Sequence, residues 1–166
     1  MRGHRSQSPA ILFLCLGNIC RSPLAEGAAR AAFAEAGIAA TLDSAGTGDW
    51  HVGRAPDPRA QAEARRRGID IGALCARQLV AEDFRRFDMV LAADAQNLSD
   101  ACAIRPRDAT AQLMLMLDLV PGRAGESVAD PYYGDEGGFA RTWADVSAVA
   151  SALVAAFSRG ERATGW

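Results

Sequence analysis

Cys15 and Arg21 stand six positions apart in the stretch "CLGNICRSP", with Gly17 and Asn18 between them and Ser22 and Pro23 directly after. The intervening residues are too few for a crossover but enough to curl the backbone, and Gly17 and Asn18 are the two that most readily take a positive φ. Such a curl turns successive N–H groups inward, beside the free N–H groups of a helix opening at Ser22 or Pro23. The spacing therefore predicts an anion cradle the size of one phosphate group, built from Leu16, Gly17, Asn18, Ile19, Cys20, Arg21 and Ser22. Arg21 adds a planar, permanently charged fork for two phosphate oxygens. The same positive field favours the thiolate of Cys15, and Ser22 can donate a hydrogen bond to the sulfur. A thiolate beneath a bound phosphoryl group, ringed by backbone donors, suits in-line phosphoryl transfer to sulfur. Neither GxGxxG nor GxxxxGK[ST] occurs, which disfavours a dinucleotide or ATP loop.

The elements that must hold this loop alternate along the chain. "AILFLCL", Ala10 to Leu16, reads as a buried strand, and a helix from about Pro23 to Ala36 follows, with Leu24, Ala28, Ala32 and Ala36 on one face and Gly37 as its stop. "ATLDSAG" is a second strand. Asp57 and Pro58 open a helix that ends near Gly68. Val80, Phe84 and Phe87 mark a short helix at i, i+4, i+7, and "DMVLAA" is a third strand, after which Asp94 caps the helix "AQNLSDACA". "AQLMLML" gives a fourth strand and "FARTWADVSAVASALVAAF" a last helix, with Trp143, Val146, Ala150, Leu153 and Phe157 along one side. Strands joined through helices run parallel, so the expected fold is α/β. It is a three-layer sandwich with a four-stranded parallel sheet, helices on both faces and a phosphate loop between the first strand and the first helix. Ligands in such sheets gather beyond the carboxyl ends of the strands, where Cys15, Ser44 and Asp94 all fall. The segment 121–138 exceeds the ~12–15 residues of an ordinary structureless connection, which marks it as functional.

In these segments the chain resembles the low molecular weight protein tyrosine phosphatases. "LFLCLGNICRSPLAE", "SAGTGDWHVGRAPDPRA" and "DPYYGDEGGFARTWADV" follow one another in that family's order and span nearly the whole chain. The resemblance implies hydrolysis of phosphotyrosine in proteins through a cysteinyl-phosphate intermediate. It makes Cys15 the nucleophile, Arg21 the phosphate clamp, and Ser22 the group that stabilises the thiolate and its release. It also has Asn18 hold the strained loop with help from Ser44, and Asp130 act as general acid. Trp50, Tyr132 and Tyr133 would wall the cleft. Asp94 takes the place of the family's structural aspartate, but Ala93 replaces the methionine usual before it, which touches packing behind the site. Residues 1–9 precede the usual start and read as a flexible extension, residues 10–160 as a single phosphatase domain, and 161–166 as a tail.

Chemistry supports Asp130 separately. The phenol of phosphotyrosine has a pKa near ~10, so it departs far better when a carboxylic acid protonates the bridging oxygen. The acid must come from a loop able to reach over the cradle, and 121–138 is the natural source. Asp57 also precedes a proline, but a capping role explains it. Aromatic walls would hold a phenyl ring deep enough for its ester to meet Cys15.

Cys20 lies close enough along the curl to trap an oxidised Cys15 as a disulfide, a role the resemblance also carries. Its alternative is simple packing under the loop. His51 and His4 receive no catalytic role. The chain of 166 residues is 49% apolar, has a formal charge of −2 and contains four cysteines, which suits one folded domain. This balance argues against nucleic acid or an anionic membrane as partner, and cysteine spacing argues against a disulfide framework or a zinc site. No metal or other cofactor is expected, because loop amides and Arg21 supply the positive field. The expected partner is a tyrosine-phosphorylated protein, a bacterial tyrosine kinase among them, met in the cytoplasm by a monomer or weak dimer. Two other readings stay open: a thiol-dependent arsenate reductase, which needs a relay pair that the distant Cys75 and Cys102 do not resemble, and a non-catalytic phosphoprotein-binding module, which needs neither thiolate nor acid.

Overall fold

The apolar run of the first strand reflects its place inside a sheet. In the computed structural model, which describes residues 8–135 and 137–160, β1 (Ala10–Cys15) pairs in parallel with β2 (Thr41–Gly46) on one edge and β3 (Met89–Ala92) on the other. With β4 (Gln112–Leu115) they form a four-stranded parallel sheet in the order β2-β1-β3-β4. Strands covered on both faces must be apolar throughout, hence "ILFL" in β1 and "MVLA" in β3. Ile11, Phe13, Met89 and Leu91 point into one core with α1 (Arg21–Ala36), α2 (Pro58–Arg66) and α5 (Gly137–Ser158). Leu12, Leu14, Val90 and Ala92 point into a second core with α3 (Asp83–Arg86) and α4 (Ala95–Ile104). This is the expected three-layer sandwich. α1 packs along α5, and the Phe33 and Phe157 rings meet with centroids 6.1 Å apart.

Several local expectations are corrected. Val80 does not share a helical face with Phe84 and Phe87; it is exposed, and Leu79 is buried instead. The cause is Asp83, whose buried carboxylate accepts from the Val80 N–H at 2.9 Å and from both terminal nitrogens of Arg77 at 3.0 Å, so α3 starts only there. Ala36 is exposed, and the buried side of α1 runs through Leu24, Ala25, Ala28, Ala29 and Phe33. Alanines on every side of this helix disguised the face. The fourth strand stops at Leu115 because Asp118 accepts from the Leu115 N–H at 3.0 Å, turning Met116–Leu119 into a 3₁₀ turn. α5 begins at Gly137, ahead of the expected Phe139. A Cβ on its Gly138 would lie 3.3 Å from the Pro131 Cβ, so a glycine lets the preceding loop press against the start of the helix.

Of the expected extension, residues 1–7 lie outside the described residues. Pro9 is buried, and its carbonyl accepts from Thr41 N–H at 2.8 Å. The expected tail, 161–166, also lies outside them. Among the described residues no helix is long and apolar enough to cross a membrane.

Candidate active site

Between β1 and α1 the backbone turns through residues 16–20, and Asn18 adopts a left-handed conformation with φ 56°. Gly17, expected to share that conformation, does not; its lack of a side chain serves a close approach instead. A Cβ there would stand 2.9 Å from the ring carbon Cδ2 of His51. The loop carbonyls are tied outward, with Cys15, Leu16 and Ile19 accepting from the N–H groups of Thr47, Gly48 and Asp57 at 2.9, 2.9 and 2.8 Å. The N–H groups of Gly17, Asn18, Ile19 and Cys20 have no partner among the described residues. With those carbonyls engaged and these four donors free at the N-terminus of α1, the loop is an anion cradle.

At its floor, Cys15 Sγ lies 3.1 Å from Ser22 Oγ. The Asn18 amide nitrogen donates to Ser22 Oγ at 2.8 Å and to Ser44 Oγ at 3.0 Å, and the Ser44 hydroxyl donates to the buried carboxylate of Glu26 at 2.8 Å. Asn18 Oδ1 accepts from Arg77 N–H at 3.0 Å, which fixes the amide's orientation. Ser22 Oγ, already an acceptor, has two partners in reach for its proton, the sulfur at 3.1 Å and the Ala45 carbonyl at 3.4 Å.

Arg21 is buried beside the cradle. Its Nη1 donates to Asp94 Oδ2 at 2.7 Å and to the Val128 carbonyl at 3.0 Å, and its Nη2 lies 3.6 Å from Asp130 Oδ2. Burial alone would weaken the charge, but Cys15, Asp94 and Asp130 more than offset it and hold the guanidinium protonated beyond the ordinary arginine range. Asp94 spends its other oxygen on capping α4, accepting from Asn97 N–H at 2.8 Å. Val128 is set in turn by its own N–H, which donates to the Ala93 carbonyl at 2.8 Å.

A cavity of 410 Å³ opens above the loop and brings together Cys15, Arg21, Trp50, Asp130, Tyr132 and Tyr133. Asp130 Oδ1 accepts from Tyr132 N–H at 3.0 Å, which leaves Oδ2 for Arg21. Trp50 and Tyr133 are 66% and 94% exposed, so they form a rim more than walls; Tyr132 packs edge-on against Tyr133 with centroids 4.7 Å apart. Asp57 stands outside the cavity as the N-cap of α2. The hydrogen bonds of Arg59 hold its carboxylate below the ordinary range, which makes it a poor proton donor. Cys20 lines the cavity as a buried free thiol, pushed well up by burial and then by Asp57, Cys15 and Asp130. Cys75 and Cys102 are free and exposed.

His51, given no catalytic role from sequence, lines the cavity, and sequence reading passed over Glu26, Arg77 and Arg59, which act on the loops around it. Arg59 did carry a signal, since it stands two places after a capping aspartate.

The sequence matches the family described as low molecular weight phosphotyrosine protein phosphatase over residues 10–163. A low molecular weight phosphotyrosine protein phosphatase of Schizosaccharomyces pombe is 43% identical over 132 residues, which are 78% of this chain and 84% of that protein. The crystal structure of YfkJ from Bacillus subtilis superposes with a TM-score of 0.87 at 34% identity, over 95% of this chain and 99% of that one. A protein tyrosine phosphatase from Entamoeba histolytica with Hepes in the active site gives 0.85 at 32% identity, over 92% and 99%. The residues matched by the family, 10–163, take in the sheet, the cradle and the Asp130 segment, and the chain belongs to the low molecular weight protein-tyrosine-phosphatase family.

Proposed function

We propose that Cys15 is the nucleophile, Arg21 the phosphate clamp and Asp130 the general acid and base in the cysteine-based phosphotyrosine hydrolysis that this enzyme catalyses. The observation that carries the reading is the convergence of three groups on one cavity. Cys15 Sγ lies at the base of a loop whose amides are free, and the Asp130 carboxylate lines the same cavity, 3.6 Å from the Arg21 fork.

In the first step the Cys15 thiolate forms the S–P bond as the P–O bond to the phenol breaks, and Asp130 passes its proton to the departing oxygen. The loop amides and the free side of Arg21 meet the charge on the equatorial oxygens. In the second step water attacks phosphorus, the Asp130 carboxylate takes its proton, and the S–P bond breaks. Ser22 donates to the returning thiolate. Asn18, Ser44 and Asp94 hold the loop and the clamp, while Trp50, Tyr132 and Tyr133 border the phenyl ring.

The substrate is a tyrosine-phosphorylated protein, with a bacterial tyrosine kinase as one candidate, and four free cysteines among the described residues suit a reducing compartment such as the cytoplasm. Cys20 serves as the thiol that captures oxidised Cys15.

The test is a plot of log kcat/KM against leaving-group pKa for wild type and Asp130→Asn. Loss of the acid slows phosphotyrosine cleavage by about 10² or more and spares phenols acidic enough to leave unaided, so the variant line is steeper. Parallel lines would leave Asp130 as a turn former.

A further inference from the structure

The start of α2 carries a pair of charged residues that this chemistry does not use. Asp57 caps the helix by accepting from Arg59 N–H at 2.8 Å, and its two oxygens take the Arg59 guanidinium through Nε at 3.0 Å and Nη2 at 2.9 Å. From this brace the chain reaches two ways. Asp57 N–H donates at 2.8 Å to the carbonyl of Ile19, in the loop that carries the nucleophile. Arg59 Nη1 donates at 3.1 Å to the carbonyl of Tyr132, two residues beyond Asp130. The guanidinium carbon also lies 5.3 Å from the Tyr132 ring centroid and 4.9 Å from that of Phe139, near the start of α5.

An ion pair whose guanidinium is half exposed contributes modestly to stability, and that contribution does not account for the arrangement. Geometry does. All three guanidinium nitrogens are engaged, which leaves the planar fork no rotational slack. The loop it grips has few other restraints. Among the described residues, no other side chain hydrogen-bonds the backbone of residues 130–134 from outside that segment. Pro131 against Gly138 and the Asp130–Arg21 pair hold it elsewhere.

We propose that Arg59, braced by Asp57, is a positioning residue for Asp130: it spans from the phosphate loop to the acid loop and fixes the separation of nucleophile and proton donor without touching the substrate. The proposal rests on Asp130 being the acid.

Arg59→Met keeps the aliphatic stem and removes the fork, and Arg59 is half exposed, so the variant is expected to fold with a Tm near that of wild type. The experiment measures kcat/KM for a series of aryl phosphates with wild type, Arg59→Met, Asp130→Asn and the double variant. A displaced acid lowers kcat/KM for phosphotyrosine by about tenfold and steepens the leaving-group slope, with little loss for the most acidic phenols. In the Asp130→Asn background the same substitution changes kcat/KM by less than about twofold, because the group it positions is already absent. Hydrogen exchange of the peptide carrying Asp130 to Gly134 is expected to quicken in Arg59→Met and to stay fast in Arg59→Lys, whose ammonium cannot reproduce the fork. An equal loss for every leaving group, or an undiminished loss in the double variant, would overturn the proposal. If Asp130→Asn steepens the slope while Arg59→Met matches wild type in slope and exchange, the brace fails and the acid stands. If Asp130→Asn leaves the slope unchanged, the acid assignment fails and takes the brace with it.

Discussion

Asn18 donates from one amide nitrogen to two hydroxyls, Ser22 Oγ at 2.8 Å and Ser44 Oγ at 3.0 Å, while its own backbone sits at φ 56°. The order of protons follows. Ser44 gives its hydroxyl proton to Glu26 and receives from Asn18; Ser22 also receives from Asn18, and its hydroxyl lies 3.1 Å from Cys15 Sγ and 3.4 Å from the Ala45 carbonyl. The amide, oriented by the Arg77 N–H on its oxygen, thus sends two branches outward, one ending on Glu26 and the other reaching Ser22 beside the nucleophile.

Two substitutions separate backbone from side chain at Asn18. Glycine accepts the left-handed conformation freely, whereas alanine is opposed there by about 1–2 kcal/mol. Asn18→Ala is expected to be less stable than Asn18→Gly by about 1 kcal/mol in urea denaturation. Both should lose kcat, since neither can direct the Ser22 proton. A fully active Asn18→Gly would show that the loop's shape suffices.

Oxidation gives a second test, with a pH sign. Peroxide converts the Cys15 thiolate to the sulfenic acid, and attack by Cys20 forms the S–S bond and releases water. Burial first, then Asp57, Cys15 and Asp130, hold Cys20 protonated far above the ordinary thiol range. Its thiolate is therefore scarce at neutral pH, and disulfide formation should accelerate by about tenfold per pH unit on the alkaline side. Quenched peptide mapping follows the linkage. A rate independent of pH, or reversible inactivation unchanged in Cys20→Ser, would exclude Cys20 as the capturing thiol.

Asp57 supplies the third. Its folded-state pKa is depressed by the Arg59 hydrogen bonds, so between the folded and unfolded values the unfolded chain binds more protons and stability rises with pH. The pair's contribution is whole above the unfolded value of about 3.9 and is lost as pH falls through the folded value. Asp57→Asn should therefore be less stable than wild type at neutral pH, and the gap should narrow below about pH 4. Urea midpoints over a pH series measure it. A gap constant with pH would mean that capping alone, which asparagine retains in part, sets the difference.

The parts legible from sequence are those whose signal is local. "CLGNICRSP" announces its loop because permissive residues, a fork and a helix start come in functional order, and β1 and β3 announce burial by unbroken apolar runs. The misread parts depend on partners distant in the chain. Leu79 and Val80 are equally apolar, and only the burial of Asp83 under Arg77 decides which faces inward. "AQLMLML" looks the same whether it ends as strand or turn until Asp118 folds back on Leu115. Gly17 looked like a hinge and is a clearance for His51, thirty-four residues away. Arg59 signals its pairing with the capping Asp57 two places before it, but nothing local points to its acceptor on Tyr132, which lies 73 residues on.

The strand order β2-β1-β3-β4, all parallel, gives the molecule a working end and an idle end. Cys15 ends β1, Ser44 lies in the last half of β2 and Asp94 follows β3, and the chain from β4 returns over the same end to deliver Val128 and Asp130. Among the described residues the amino ends hold connectors such as Gly37–Ala40 and Arg105–Ala111 and the end of α5, and there the chain enters its first strand at Ala10. A fluorophore, a surface anchor or a fused protein joined ahead of Ala10 would therefore emerge at the pole opposite the catalytic mouth. A phosphorylated protein could dock there unobstructed, which makes this the pole from which to tether the enzyme beside a chosen target.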